Sequence, residues 1–216
     1  MEVEKYIVSG LPSTIYYIPN FITEKQEEFL LKCVDSAPSL KWTQLSNRRL
    51  QNWGGKPESK GMLAEPIPSW LESIMSEVSP MFTNVTPNHV LVNEYLPGQG
   101  IMPHEDGPLF HPVVTTVSLG SHTVLDFYSL PSDHSQSLEE RYIKSILVDR
   151  KSLLVVKNSA YTHHMHGIKE ISTDEKNPDT LMWISPSSTL PRTRRVSLTI
   201  RNVPKVKKIP IFLSKK

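Results

Sequence analysis

His104 and Asp106 stand one residue apart, and His166 follows sixty residues after the carboxylate: two imidazoles and an acid are enough to hold a divalent metal. Side chains of a strand alternate between its faces, so a His and an Asp two positions apart share one face at a strand end. A distant second His then completes three ligands on one side of a metal and leaves the other side open. That ligand set, with its open positions, is the one used in non-haem Fe(II) oxygen chemistry. The triplet alone carries little weight. With 8 His and 7 Asp in 216 residues, chance supplies about a quarter of a His-x-Asp per chain, so the surroundings must decide.

Pro97-Gly98-Gln99-Gly100-Ile101-Met102-Pro103 is a turn-rich approach that sets His104 and Asp106 at a strand mouth, and Gly107-Pro108 stops the strand behind them. Taken by itself, this segment reads more simply as a surface turn with an incidental His and Asp. His166 lies in Tyr161-Thr162-His163-His164-Met165-His166-Gly167-Ile168, where three histidines compete. In an extended segment His164 and His166 share a face and His163 opposes them, so spacing alone does not choose. Hydrogen-bonded or solvated surface positions suit His163 and His164.

The last strand gives independent support. In Arg195-Val196-Ser197-Leu198-Thr199-Ile200-Arg201 the odd positions are polar and the even ones apolar. At a sheet edge the polar face would simply meet water. In the interior of a barrel, two arginines and two hydroxyls would line a cavity and require an anion. Arginine makes paired, charge-assisted bonds to carboxylates, and a nearby serine adds a donor. A dicarboxylate cosubstrate fits.

The elements that must place these residues fall into two groups. Thr14–Ile18 is β-branched and aromatic and reads as a strand. Thr23 opens a helix with Gln26 at capping-box spacing, and Phe29, Leu30, Cys33, Val34 and Ala37 form its apolar stripe. A second helix starts near Pro68, buries Trp70, Leu71, Ile74, Met75 and Val78, and ends at Pro80. The stretch from Ser46 to Gly55 between the helices is polar. Past Pro87 the period changes to two: Val90–Leu96, Val113–Leu119, Val124–Leu130, Ile143–Val148, Leu153–Lys157 and Val196–Val203 read as strands. The polar stretch from Lys169 to Arg194 reads as an insertion loop. The expected fold is mainly β with flanking helices, a closed or two-sheet structure such as a jelly roll.

Composition sets outer limits. At 24.6 kDa, with 38% hydrophobic and 21% charged residues, the chain suits one soluble domain with a full core. Cys33 is its one cysteine, which rules out an intrachain disulfide and suggests an intracellular home, with the thiol as buried filler. MEVEKYIVSG has no apolar h-region, and no run approaches the roughly 20 apolar residues of a membrane span. A net charge of +2 hides an asymmetry: Thr180 to Lys216 contains no acid but Arg192, Arg194, Arg195, Arg201, Lys205, Lys207, Lys208, Lys215 and Lys216. Such an end could meet phosphates or serve solubility.

Asn93-Glu94-Tyr95-Leu96-Pro97-Gly98, His104-Glu105-Asp106, Val117-Ser118-Leu119-Gly120, His166-Gly167-Ile168 and the Arg195–Arg201 block occur in that order. Together they resemble the AlkB family of Fe(II)/2-oxoglutarate dioxygenases over roughly Tyr16 to Val203, most closely its sixth eukaryotic homologue branch. The resemblance implies a double-stranded β-helix (jelly-roll) core over 87–204, an N-terminal extension over 1–86 carrying a substrate-recognition lid, and a basic tail over 205–216, in one compact domain. It makes His104, Asp106 and His166 the iron ligands, with His166 chosen because it precedes Gly-Ile. It gives Arg195 the distal carboxylate of 2-oxoglutarate, with Ser197 beside it, and Asn93, Tyr95 and Arg201 further cosubstrate contacts. Arg48, Arg49 and Trp53 resemble a lid motif that would grip phosphate or stack on a base.

With Fe(II), 2-oxoglutarate and O2, the implied reaction is oxidative N-demethylation of methylated nucleic acid, RNA before DNA. Expected alongside are no membrane association, a monomer, and a place in cytoplasm and nucleus. Pro108 stands where the DNA-repair members carry a carboxylate, which argues against direct repair of N1-methyladenine or N3-methylcytosine. The stretch between His166 and Arg195 is also long for the family. Two competing expectations are the same chemistry on a protein, as demethylase or hydroxylase, and a nucleic-acid-binding module with weak or no activity.

Overall fold

Thr23 closes the predicted capping box: its hydroxyl accepts from the Gln26 amide at 3.2 Å, and Gln26 Oε1 accepts from the Thr23 amide at 2.8 Å. The computed structural model describes residues 2–12, 14–132 and 135–207. In chain order the elements are β1 (Ile15–Ile18), α1 (Glu24–Asp35), β2 (Trp42–Gln44), β3 (Arg49–Trp53), β4 (Met62–Leu63), α2 (Ser69–Val78), β5 (His89–Tyr95), β6 (Ile101–His104) and β7 (Val113–Leu119). They continue with β8 (Thr123–Ser129), β9 (Tyr142–Val148), β10 (Leu153–Lys157), α3 (Ser159–Thr162), β11 (His164–Ile168), β12 (Thr173–Glu175), β13 (Thr180–Leu181), β14 (Thr189–Pro191), β15 (Arg195–Arg201) and β16 (Val206–Lys207).

A seven-stranded sheet runs β1-β10-β7-β15-β5-β3-β2, and a five-stranded sheet runs β13-β9-β8-β11-β6. This is the jelly-roll architecture expected from the sequence. Period-two alternation builds two apolar layers. On one face of the larger sheet, Val90, Val92, Val117, Val196, Leu198 and Ile200 pack against Leu30 and Val34 of α1 and Leu71, Ile74 and Val78 of α2. On its other face, Ile15, Tyr17, Val114, Leu154 and Val156 meet Phe127, Ile146 and Val148 of the smaller sheet. Each fully buried aliphatic here contributes about 1.5–3 kcal/mol by leaving water. β15 therefore lies in the middle of the larger sheet, between β7 and β5, with its polar face toward the second sheet.

Three expectations change. Phe29 is 55% exposed, and the buried side of α1 carries Glu27, Leu30 and Val34, with Cys33 and Ala37 only half-buried. The cause is non-local: the Glu27 carboxylate accepts from the Gly120 amide at 2.8 Å and pairs with Arg150, which rotates the helix toward them. The polar stretch from Ser46 to Gly55 contains a strand, because β3 pairs with β5 from Arg49 opposite Glu94 to Trp53 opposite Val90. Residues of the N-terminal segment thus share one sheet with the later strands. The insertion is also ordered: β12 and β14 form a hairpin, and β13 joins the edge of the smaller sheet parallel to β9. Arg192 fastens it with two 2.7 Å bonds to Asp174, which also meets His122 at 3.2 Å.

Of the basic tail, Lys205 and Lys207 are exposed on and beside β16, whereas Lys208, Lys215 and Lys216 lie outside the described residues. No described helix is long and apolar enough to cross a membrane.

Candidate active site

β6 and β11 are neighbours in the smaller sheet, and their register sets His104 directly opposite His166. The ring centroids lie 4.7 Å apart. Gly167 permits this closeness, since a Cβ there would sit 2.9 Å from the Pro103 nitrogen. Asp106 follows two residues beyond the end of β6, in a turn held by Tyr161, whose hydroxyl donates to the Gly107 carbonyl at 2.7 Å. Its two oxygens are divided: Oδ1 pairs with Arg201, and Oδ2 faces His166 Nε2 at 3.9 Å. Among the described residues no three His, Cys, Asp or Glu side chains are already closed into a metal cluster. His104, Asp106 and His166 are adjacent rather than converged.

The protonation states suit a cation. His104 Nδ1 sits 2.8 Å from the Met102 carbonyl, which can only accept, so the proton is on Nδ1 and the Nε2 lone pair is free. Burial lowers the His166 pKa to about 4, more than Asp106 raises it, and the ring is neutral near pH 7. Burial pushes Asp106 up, but Arg201, His166 and His104 outweigh it and keep the carboxylate below its usual range. Two imidazole nitrogens and one carboxylate are donors a divalent iron takes.

A cavity of about 250 Å³ between the sheets has this trio at one side. Asn93 and Tyr95 of β5, Arg195, Ser197, Thr199 and Arg201 of β15, and Arg48 also line it. Apolar walls come from Leu91, Val114, Leu125, Leu154 and Val156. Arg195 is the informative member. It is 6% exposed, Nη2 donates to Ser118 Oγ at 2.9 Å, and Nε has no partner. Burial pulls its pKa down to about 10, with Tyr95 opposing and Arg192 assisting. A buried guanidinium with no carboxylate beside it is a site for an anion. Those features fit Fe(II) at the His–Asp side and an acid at Arg195.

Nine of the expected site residues thus meet in one cavity, and two do not. Arg48 and Arg49 are successive, so the strand turns them to opposite faces. Arg48 lines the cavity and its Nε donates to Asn93 Oδ1 at 3.2 Å. Arg49 binds Glu94 on the helix side and lies 4.0 Å from the Trp42 ring centroid. Trp53 is on that side too, edge-on to Trp70 at 5.8 Å, with its indole donating to Gln51. Neither Arg49 nor Trp53 can join Arg48 at the cavity, which corrects the expectation of a three-residue lid. His163 and His164 are bound to Thr162 and the Ser159 carbonyl, away from the trio.

Sequence reasoning passed over Ser118, Thr116 and Glu105, all within this site. The signal for Ser118 and Thr116 was there as polar residues two positions apart in a mostly apolar strand, blurred by the adjacent Thr115. A larger groove of about 960 Å³ lies behind the smaller sheet, under residues 169–180. It is lined by Tyr128, Tyr142 and Arg192 and contains none of the trio.

The 2OG-Fe(II) oxygenase superfamily model matches residues 14–201. A Danio rerio protein named "Probable RNA/DNA demethylase ALKBH6" is 53% identical over 100% of this chain and 97% of its own length. The solved structure of OsALKBH1 covers 89% of this chain and 98% of its own, with a TM-score of 0.61 at 15% identity. A Pseudomonas putida prolyl-4-hydroxylase covers 92% and 95%, with a TM-score of 0.53 at 11% identity. Likeness at that distance speaks for the fold. A matching family model over most of the chain, a full-length relative and a cavity whose donors suit iron and an acid together make this chain an AlkB-like enzyme of the 2OG-Fe(II) oxygenase superfamily, working with Fe(II), 2-oxoglutarate and O2.

Proposed function

We propose that this enzyme removes methyl groups from nitrogen atoms of nucleic acid, with RNA as its first substrate class. The observation that carries the oxidative half is Arg195, buried with an unpartnered Nε in the same cavity as His104, Asp106 and His166. The nucleic-acid half is supported by Arg48, a cation lining the cavity, and by the demethylase name of the Danio rerio relative. An unstacked base reaches a recessed site more cheaply than one held in a duplex.

In this reading His104, Asp106 and His166 hold Fe(II). Bound there, Fe(II) with 2-oxoglutarate and O2 would supply the oxidising power, giving succinate, carbon dioxide and a hydroxymethyl product that would lose formaldehyde. The protein's own residues do the placing. Arg195 holds the far carboxylate, and Ser118 aims its guanidinium. Ser197, Asn93 and Tyr95 shape the floor around the acid. Arg201 occupies one Asp106 oxygen and leaves the other toward His166. Leu91, Val114, Leu125 and Val156 keep bulk water from the reacting end.

Mass spectrometry of nucleosides tests this after incubation of methylated RNA with the protein, Fe(II) and 2-oxoglutarate. Loss of an N-methylated nucleoside, matched one for one by formaldehyde and succinate, is the expected result. Succinate release stimulated by methylated peptides and by no oligonucleotide would overturn it.

A further inference from the structure

Three neighbouring strands bring the polar groups of the cavity, and each carries a charged residue facing the other way. Arg48 is followed by Arg49, Asn93 and Tyr95 flank Glu94, and Arg195 is preceded by Arg194. On the helix side those outward residues form one network. Glu94 Oε1 accepts from Arg49 Nε at 2.6 Å, and Oε2 accepts from Arg49 Nη2 at 3.0 Å and from Arg194 Nε at 2.8 Å. Arg194 continues to Asp35 at the end of α1, with Nη1 3.2 Å from Oδ2. The Glu94 side chain is 5% exposed, against 40% for Arg49 and 34% for Arg194. Pairing register matches the network: Arg49 lies opposite Glu94, and Arg195 lies opposite Tyr95.

We propose that Glu94 is a positioning residue for 2-oxoglutarate: by clamping Arg49 and Arg194 on the helix side, it fixes β3 and β15 against β5 and holds Arg48 and Arg195 at the cosubstrate site. This rests on the cosubstrate reading of the cavity. Side chains one residue apart in a strand are rigidly opposed, so a shift of Arg194 is a shift of Arg195. Without the Glu94 charge, Arg49 and Arg194 lose the counter-ion they share, and although Arg194 keeps Asp35 and Arg49 keeps the Trp42 ring, the tie across β5 is gone. The strands then relax apart, and the buried donors lose their aim.

Calorimetric titration of 2-oxoglutarate into Mn(II)-loaded protein tests the clamp, alongside KM and kcat for turnover. Glu94→Gln is expected to raise the 2-oxoglutarate Kd and KM about tenfold or more, the usual size for a supporting residue, with kcat at saturation close to that of the unsubstituted protein. Val78→Ala, in α2 on the helix-side core, lowers Tm but should leave Kd within about twofold, because it lies outside the network. Arg49→Met removes the more exposed arm and keeps the fold; it should raise Kd at least about threefold, and it decides alone if Glu94→Gln does not fold. A Kd unchanged in Glu94→Gln, or changed as much in Val78→Ala, overturns the clamp. An unsubstituted protein that does not bind 2-oxoglutarate overturns the cosubstrate reading, and the clamp with it.

Discussion

Arg195 sets function against stability within one side chain. A buried cation without a carboxylate partner destabilises the fold, and the proposed cosubstrate would answer it. Arg195→Met should therefore raise Tm or leave it unchanged, while the KM for 2-oxoglutarate rises roughly tenfold to hundredfold, the equivalent of about 1.5–3 kcal/mol for a charged hydrogen bond. Melting curves and a cosubstrate titration measure the two signs; a fall in both stability and KM would contradict the assignment. The histidines give a second contrast. His166→Ala should abolish metal uptake, read as metal content after dialysis. His163→Ala and His164→Ala, whose side chains bond to Thr162 and the Ser159 carbonyl, should retain it. Equal losses in all three would mean that the wrong imidazole has been chosen.

At the scale of elements, the close pairing of β6 with β11 is what a single methyl group can break. Gly167→Ala would place a carbon 2.9–3.1 Å from the Pro103 and Ile101 backbone, where nothing yields cheaply. A loss of about 1–3 kcal/mol by denaturant titration, with weakened metal uptake, is expected. Legibility followed locality. The alternation of β15 and the Thr23 capping box could be read because each depends on residues within a few positions. The rotation of α1 could not, since Glu27 is buried by an arginine 123 residues away. Nor could β3, whose polar run becomes a strand because Glu94 of β5 takes Arg49 and Gln51 reaches the Val34 carbonyl. The placement of Arg48 and Arg49 on opposite sides follows from that pairing alone. Before β3 was known to be a strand, the two looked like partners.

Across the whole molecule, pH dependence should be governed by imidazoles that fold neutral. His89 is buried against Phe110 and Arg201, and burial, aided by Arg201, takes its pKa to about 3 from an unfolded value near 6.5. The unfolded chain binds the proton first, so the His89 contribution is complete above about pH 6.5 and is lost as pH falls toward 3. Unfolding free energies from urea titrations between pH 7 and 4.5 should fall with a slope of up to about 1.4 kcal/mol per pH unit from this group, and His89→Asn should flatten it. Identical slopes would remove His89 from the account. β15 has a last consequence. Its seven residues alternate between cavity and core, so a saturation scan would show a comb. A turnover screen would register the teeth at 195, 197, 199 and 201, and a solubility screen those at 196, 198 and 200. Substitutions on the two faces of this strand therefore answer to different constraints, packing on one and cavity chemistry on the other.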